Sequence, residues 1–543
     1  MKRALLALVL VGLGCGRTVS QPRPEVPPVE ARVIDPGPTP VAVPLLSNAL
    51  RPLVEQRNPA SPLVTVRVVF EAGSADDPPD REGLTRLTAR LMAEGGTQAL
   101  RYDAFTRALF PMAGRIEYYV DRDVTVFSGT VHRDQLARFY PLLRDVLLAP
   151  RLAEEDFTRV RRQSRADLTL QLRGSSDEEL GKEVLQSVLY RGHPYAHPAL
   201  GTEAGLDAST LAELVAHRAE VFSRGRVLIG LAGAYPEDFA ETVRNDFAQL
   251  PVARAARAAL PSVARPSGGL HVLIVDKPTA SATAFSMGFP LGLTRRDAEH
   301  ASLQFVTNYL GLHRQSVGVL YQTLREARGL NYGDYAYAEH YAQDGWSRFP
   351  RPNIVRRQQY ASLWLRPVPD RYAHFALRGA LRAVEQTANQ GLRDDDITRI
   401  RTFLNGYVGL YTQTDGARLG FALDDVLDGA AEPWATRQRR AWSGLTAQAL
   451  REVARRHLGS HDLWVVVVSP QAQRLADALV ADAPSPITYD SPKPDEVLAE
   501  DREIASYGLH IARENVQIVG LERVFATRDW LTPQAAASAP ATP

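Results

Sequence analysis

LAEEDFTRVRR, Leu152 to Arg162, returns in the chain as LRDDDITRIRT, Leu392 to Thr402. Leucine, paired acids, an apolar residue, threonine, arginine, a second apolar residue and another arginine recur in register. Two further pairs keep the same order. VTVFSGTVHRDQLARF (Val124 to Phe139) is echoed by ASLWLRPVPDRYAHF (Ala361 to Phe375), and TLAELVAHRAEVF with RVLIGLAG by LTAQALREVARRHL with DLWVVVVSP. A repeat spacing of roughly 235 to 240 residues is too long for a solenoid and suits a duplicated domain. Each half mixes alternating runs (VTVRVVFEAG, TAFSMGF) with amphipathic runs of ten or more residues. This pattern predicts α+β units, each a mainly antiparallel sheet covered by helices.

The rest of the chain arranges itself around these halves. At 543 residues it exceeds one ordinary core. Met1 to Gly14 reads as an export signal, with Lys2 and Arg3 ahead of the apolar run ALLALVLVGLG, which is too short to span a bilayer. Cys15 follows at once and is the only cysteine, so intrachain disulfides are excluded. Residues 15–44 are proline-rich and aperiodic, as in an extended tether. The first half is expected at 45–255, a linker at 256–269 and the second half at 270–480. The extension, 481–543, should hold a helix near Val497 to Tyr507, a strand in VQIVGLERVF and a disordered end. It is too small for its own core and should pack back on a half. A net charge of +1 argues against a nucleic-acid partner.

Within the first half, GLTRLTARLMAEGGT (Gly83 to Thr97) has Leu84, Leu87, Leu91 and Met92 at helical spacing, so one face is buried. Arg86 and Arg90 sit at i and i+4 on one face. A hydrolytic zinc site would place two imidazoles there and a glutamate beside the second. Arginine offers no lone pair and keeps its charge, and the methyl of Ala89 cannot accept a proton. These residues are expected to form a solvated or ion-paired face, with Asp167 as the nearby acid.

The run VVFEAGSADDPPDREGLTRLTARLMAEGGT resembles the first motif block of the insulinase-like (pitrilysin) zinc metallopeptidases. There a strand ending in Ala-Gly-Ser leads to Gly-Leu-Ala-His-x-x-Glu-His and then Gly-Thr. Gly73, Ser74, Gly83, Leu84, Gly96 and Thr97 match, while Arg86, Ala89 and Arg90 replace His, Glu and His. Asp167 lies near the place of the family's third ligand, a glutamate on a second helix. GHPYAHPALGTEAGL resembles the family's His-Pro-Tyr loop, and VLYQTLREARGLNYGDYAY in the second half resembles its Leu-Arg-Glu-x-Arg-Gly-Leu-x-Tyr segment. The resemblance spans roughly residues 45 to 470 and implies a metallopeptidase-like fold in both halves.

It also implies roles. Arg325 and Tyr332 occupy the positions whose arginine and tyrosine hold substrate backbone and steady the tetrahedral intermediate from the domain opposite the zinc. Guanidinium and phenol suit that task as directed donors. TLREAR reads as a helix end, Gly329 as its left-handed cap, and NYGDYAYAEHY as an alternating strand. The plainer alternative makes Tyr332 one of several strand tyrosines and pairs Arg325 with Glu326 or another acid. His193 and His197, spaced like a zinc pair, are separated from a shared helix face by Pro194 and Pro198 and should serve a loop. His457 and His461 read as helix-end histidines. The family includes heterodimers in which one subunit supplies zinc and the other the arginine–tyrosine pair. On that resemblance the chain is expected to bind no cofactor itself and to be the non-catalytic subunit of an exported peptidase. Its homologous partner would carry the zinc, and peptide or unfolded polypeptide would be the substrate. Cys15 resembles the lipidated cysteine of a bacterial lipoprotein, which implies a periplasm-facing anchor, on the outer membrane rather than the inner. The other class of reading is a non-enzymatic envelope scaffold or peptide-binding protein that keeps only the fold.

Overall fold

A computed structural model of the protein describes residues 49–252, 256–342 and 350–532. The signal segment, Cys15, the tether and the chain end from 533 onward lie outside them. Strands β1 (Val54–Arg57), β2 (Leu63–Phe70), β3 (Arg115–Val120), β4 (Thr125–His132) and β5 (Val227–Gly233) form one sheet. Its order is β1-β5-β2-β4-β3, with β1 parallel to β5 and every other pair antiparallel. The second sheet uses β6 (His271–Asp276), β7 (Thr283–Leu291), β8 (Asp334–Tyr337), β9 (Gln359–Val368), β10 (Trp464–Ser469) and β11 (Val516–Gly520). Its order is β11-β6-β10-β7-β9-β8. Without β11 the two connectivities are the same, including one parallel pair, β6 with β10. The halves are therefore the mainly antiparallel α+β units that the repeats predict.

The helices that position the site are α1 (Leu84–Glu94), α2 (Glu154–Ala166), α3 (Asp177–Leu189), α4 (Leu211–Val221), α5 (Ala373–Gln390), α6 (Asp394–Tyr411), α7 (Asp415–Asp428), α8 (Ala447–His457) and α9 (Asp495–Ala505). The repeated sequence lies on α2 and α6, and its residues do the same work twice. Phe157 and Val160, like Ile397 and Ile400, are buried one turn apart. Asp156 pairs with Arg159 at 3.1 Å and Asp396 with Arg399 at 2.9 Å, at acidic helix starts where carboxylates favour the dipole. Arg161 donates to the Ser209 carbonyl and Arg401 to the Leu445 carbonyl. Each carbonyl immediately precedes a threonine cap, Thr210 of α4 and Thr446 of α8.

Strand alternation sorts residues into two cores. On β2, Val64, Val66, Val68 and Phe70 face one cluster and Val69 another. The run Val465 to Val468 on β10 is buried on both faces. What covers the second faces could not be read from sequence. Helix α3, from the first half, lies on β7 and β10 of the second. Helix α7, from the second half, lies on β5 and β1 of the first. Leu180, Val184 and Val188 meet Leu273, Val275, Val466 and Val468. Leu419, Leu423 and Leu427 meet Val69, Leu228 and Ala232. A fully buried leucine contributes about 1.5–3 kcal/mol, so this exchange is a major stabilising element.

Ionic contacts fix the same interface. The turn between β3 and β4 carries Asp121, Arg122 and Asp123, all buried. Arg356 binds both Asp121 oxygens at 2.6 Å and Gln186 at 2.9 Å. Arg357 binds Asp123, and Arg257, in the segment read as a linker, bridges Asp123 and Asp76 at 2.7 Å. The extension contributes a helix and a strand. The helix is α9, and the strand stops at Gly520, where Leu521–Arg523 turns as a 3-10 helix. The chain then crosses to the first half. Glu203 and Ala204 amides donate to Phe525 and Ala526 carbonyls, and Phe525 and Trp530 are buried beside Leu168 and Tyr190.

Candidate functional site

Helix α1 buries Leu84, Leu87, Leu91 and Met92, and its start is held from a distance. Gly83, at φ +102°, precedes the first turn, and Asp77 accepts from the Gly83 and Thr85 amides, each at 2.7 Å. Burial pushes the Asp77 carboxyl up to about 7, against the hydrogen bonds from Thr85 and Gly83 that favour the anion. Thr85 Oγ1 and His217 Nε2 lie 2.8 Å apart, which ties α1 to α4.

On the other face Arg90 Nη1 donates to Asp167 Oδ2 at 2.7 Å and to Ser164 Oγ at 3.3 Å, and its Nε reaches both Glu94 oxygens at 3.2 Å. Arg86 Nη2 stands 3.6 Å from the same Asp167 oxygen. Asp167 opens a π-helical stretch, Asp167–Ser175, that continues α2. Burial acts to lower the Arg90 pKa, but Tyr118, Glu94 and Asp167 outweigh it and raise it. Ala89 is wholly buried against the first sheet's core. A divalent cation does not fit this donor set: two guanidiniums occupy the nitrogen-donor positions, the Asp167 and Glu94 carboxylates are committed to them, and the position suited to a general base faces apolar packing. No hydrolytic step is derived at this helix.

In the second half the chain forms a π-helical turn, Tyr321–Glu326, followed by Gly329 at φ +67°. The Gly329 amide bonds the Arg325 carbonyl at 2.8 Å and the Leu330 amide bonds Leu324 at 3.0 Å, so the glycine does end the helix in left-handed conformation. The following strand is shorter than the alternation suggests. Only Asp334–Tyr337 pairs, and all four residues are buried. Tyr335, Tyr337 and Tyr341 join His313 and Trp364 in a ring cluster. Tyr332 does not join them. It is 79% exposed, and among the described residues neither its hydroxyl nor the half-buried Arg325 guanidinium has a hydrogen-bond or ion-pair partner.

Residues between Arg325 and Tyr332 and just beyond them are locked. Asn331 Nδ2 donates to Asp334 Oδ1 at 2.6 Å and to the Arg366 carbonyl at 3.2 Å, while its Oδ1 accepts the Gly333 amide. Burial raises the Asp334 carboxyl well above its usual range, against the hydrogen bond from Asn331. Arg328, with a fully buried side chain, binds Asp501 at 2.7 Å and Glu500 at 3.0 Å. Sequence reasoning did not identify Asp77, Asn331, Asp334, Arg328 or Asp501. Asn-x-Gly-Asp was the available signal for the turn, since an asparagine side chain readily bonds the backbone two residues on. His193 lies in a loop, its ring tilted against Tyr190 and edge-on to Tyr195, and His197 Nδ1 lies 3.1 Å from the Pro198 carbonyl oxygen. His457 ends α8 and pairs with Glu299 at 2.8 Å. Arg325 and Tyr332 come from the second half and the arginine slot from the first.

Residues 53–203 match the insulinase family, peptidase family M16. An uncharacterised zinc protease of Mycobacterium bovis is 22% identical over 436 residues, covering 79% of this chain and 93% of that protein. A non-peptidase homologue from Helicobacter pylori is 25% identical over 191 residues, 35% of this chain and 43% of its own length. Among solved structures, the peptidase M16 inactive domain from Pseudomonas fluorescens superposes with a TM-score of 0.67 at 19% identity, covering 78% of this chain and 96% of that one. These likenesses support an insulinase-like protein, and its first-half helix carries Arg86, Ala89 and Arg90 where the zinc motif would stand.

Proposed function

We propose that this protein is the substrate-holding subunit of an exported heterodimeric peptidase, presenting Arg325 and Tyr332 to the active site of a homologous, zinc-bearing partner. The observation that carries the reading is the contrast at residues 325–334. A buried arginine, an asparagine and a buried aspartate immobilise the backbone, while two strong donors are left without partners among the described residues. Pre-set donors without internal partners suit a peptide carbonyl supplied from outside. In this arrangement the guanidinium and the phenol bind and orient the peptide backbone of an unfolded polypeptide, and this chain binds no metal. Cys15 would carry the lipid that holds the complex at the periplasmic side of the outer membrane.

Co-expression with a homologue bearing intact His-x-x-Glu-His tests the reading. The pair should cleave an unfolded polypeptide, and Arg325→Ala should lower kcat by about 10²–10³-fold, as for loss of one oxyanion donor. Unchanged turnover in that variant would reject the role and favour the envelope scaffold.

A further inference from the structure

The extension meets the Arg325–Tyr332 segment directly. Lys493 Nζ donates to the Ala327 carbonyl at 2.7 Å, at the point where the helical turn gives way to Gly329. This carbonyl lies at the helix end, where orphan acceptors need a donor. At the next residue Arg328 Nε binds Asp501 Oδ1 at 2.7 Å, and Asp501 Oδ2 accepts the Tyr489 hydroxyl at 2.9 Å. Both acids that hold Arg328 lie on α9. Beneath them Ile504, wholly buried, shares a core with Leu324 across Gly379 of α5. A side chain at residue 379 would begin 3.0 Å from Leu324 Cδ2, so the bare backbone lets the turn pack closely on α5, with Ile504 of α9 in contact beside it. Between Gly329–Leu330 and Ile487–Lys493 a cleft of about 600 Å³ stays open. The polar attachment therefore rests on discrete side chains and not on a continuous seam.

We propose that the C-terminal segment 484–505 is a positioning element for the proposed substrate-holding pair: Lys493 and Asp501 fix the backbone from which Arg325 and Tyr332 project. This inference rests on the function proposed above. It assigns the extension the task of presenting the two donors in one geometry. Lys493 and Asp501 act through the backbone and through Arg328, and neither needs to touch substrate.

The test uses the full chain with Lys493→Met and Asp501→Asn, and Lys493→Arg and Asp501→Glu as conservative controls. Hydrogen exchange on the chain alone should show the Ala327, Gly329 and Leu330 amides opening about tenfold faster in the first two variants, with β2 amides unchanged. The conservative variants should return toward wild type. With the zinc-bearing partner, kcat should fall about tenfold while KM stays nearly constant, as expected when a group is misplaced and not lost. If Asp501→Asn cannot fold because Arg328 is stranded, Lys493→Met decides, since it removes the carbonyl contact and the ammonium over the Tyr489 ring but strands no buried charge. Unchanged exchange in the folded variants overturns the clamp whatever the peptidase assay gives. Faster exchange with unchanged turnover overturns the positioning role. A silent Arg325→Ala overturns the functional reading itself, which separates the two failures.

Discussion

Replacing Arg356 with methionine should test the lock between the halves most directly. The guanidinium is fully buried and makes two 2.6 Å hydrogen bonds to Asp121 and one to Gln186. Methionine fills much of the space and leaves Asp121 without a charged donor. Arg122 is already committed to Glu183, and His340, 3.7 Å from Asp121, is held neutral by burial. Removing one partner of a buried pair costs about 3–5 kcal/mol, because the remaining charge is neither hydrated nor paired. Replacing both, as Arg356→Met with Asp121→Leu, should recover at least half of that loss. Urea unfolding at neutral pH reads the effect as a lower midpoint at unchanged slope. Acid adds a sign check. In the wild type Asp121 is lowered to about 2 despite its burial, because Arg356 favours the anion, so its stabilisation is present above 3.8 and lost as pH falls through 2. In the single variant burial dominates and raises that pKa. Lowering the pH from 7 to 5 should then narrow the gap between variant and wild type. A single variant that loses less than about 1 kcal/mol, or a double variant no better than the sum of the singles, would refute the reasoning.

Gly230→Ala should cost about 1–3 kcal/mol by overpacking, since the new Cβ would lie 2.7 Å from Leu419 and 3.0 Å from Leu423 of α7. A thermal melt with no loss of midpoint would show that α7 can shift away. His217 is held at about 4 by burial, against 6.5 when unfolded, so the unfolded chain takes up the proton first. Stability should fall as pH drops from 6.5 toward 4, by about 2 kcal/mol at pH 5 from this residue. His217→Gln should flatten that part of the Tm–pH curve, and an unaltered slope would assign it elsewhere.

The duplication was legible because the repeated residues make the same contacts in each half. Asp156 and Asp396, and Arg161 and Arg401, perform local tasks that fix their spacing. Gly329 was legible for a similar reason, as a helix end that needs a positive φ. The exchange of α3 and α7 was not, because an amphipathic helix has the same pattern whichever sheet it covers. Nor could Arg356 be matched to Asp121: contacts 235 residues apart leave no mark on local periodicity. The strand after Tyr332 was overestimated since its alternation reflects an aromatic cluster at Tyr335, Tyr337 and Tyr341, and only four residues pair. The slot at Arg86 and Arg90 was readable from side-chain chemistry alone, while the distant cap from Asp77 was hidden by the intervening loop.

The crossed helices mean that this polypeptide is built like a dimer whose two copies share one backbone. Severed between residues 256 and 269, each fragment would show a greasy sheet and a stranded helix made to fit its sibling. Neither could become watertight unaided, and mixing the two should regenerate what neither achieves separately. An ancestor encoding one such fragment would have lived as a pair.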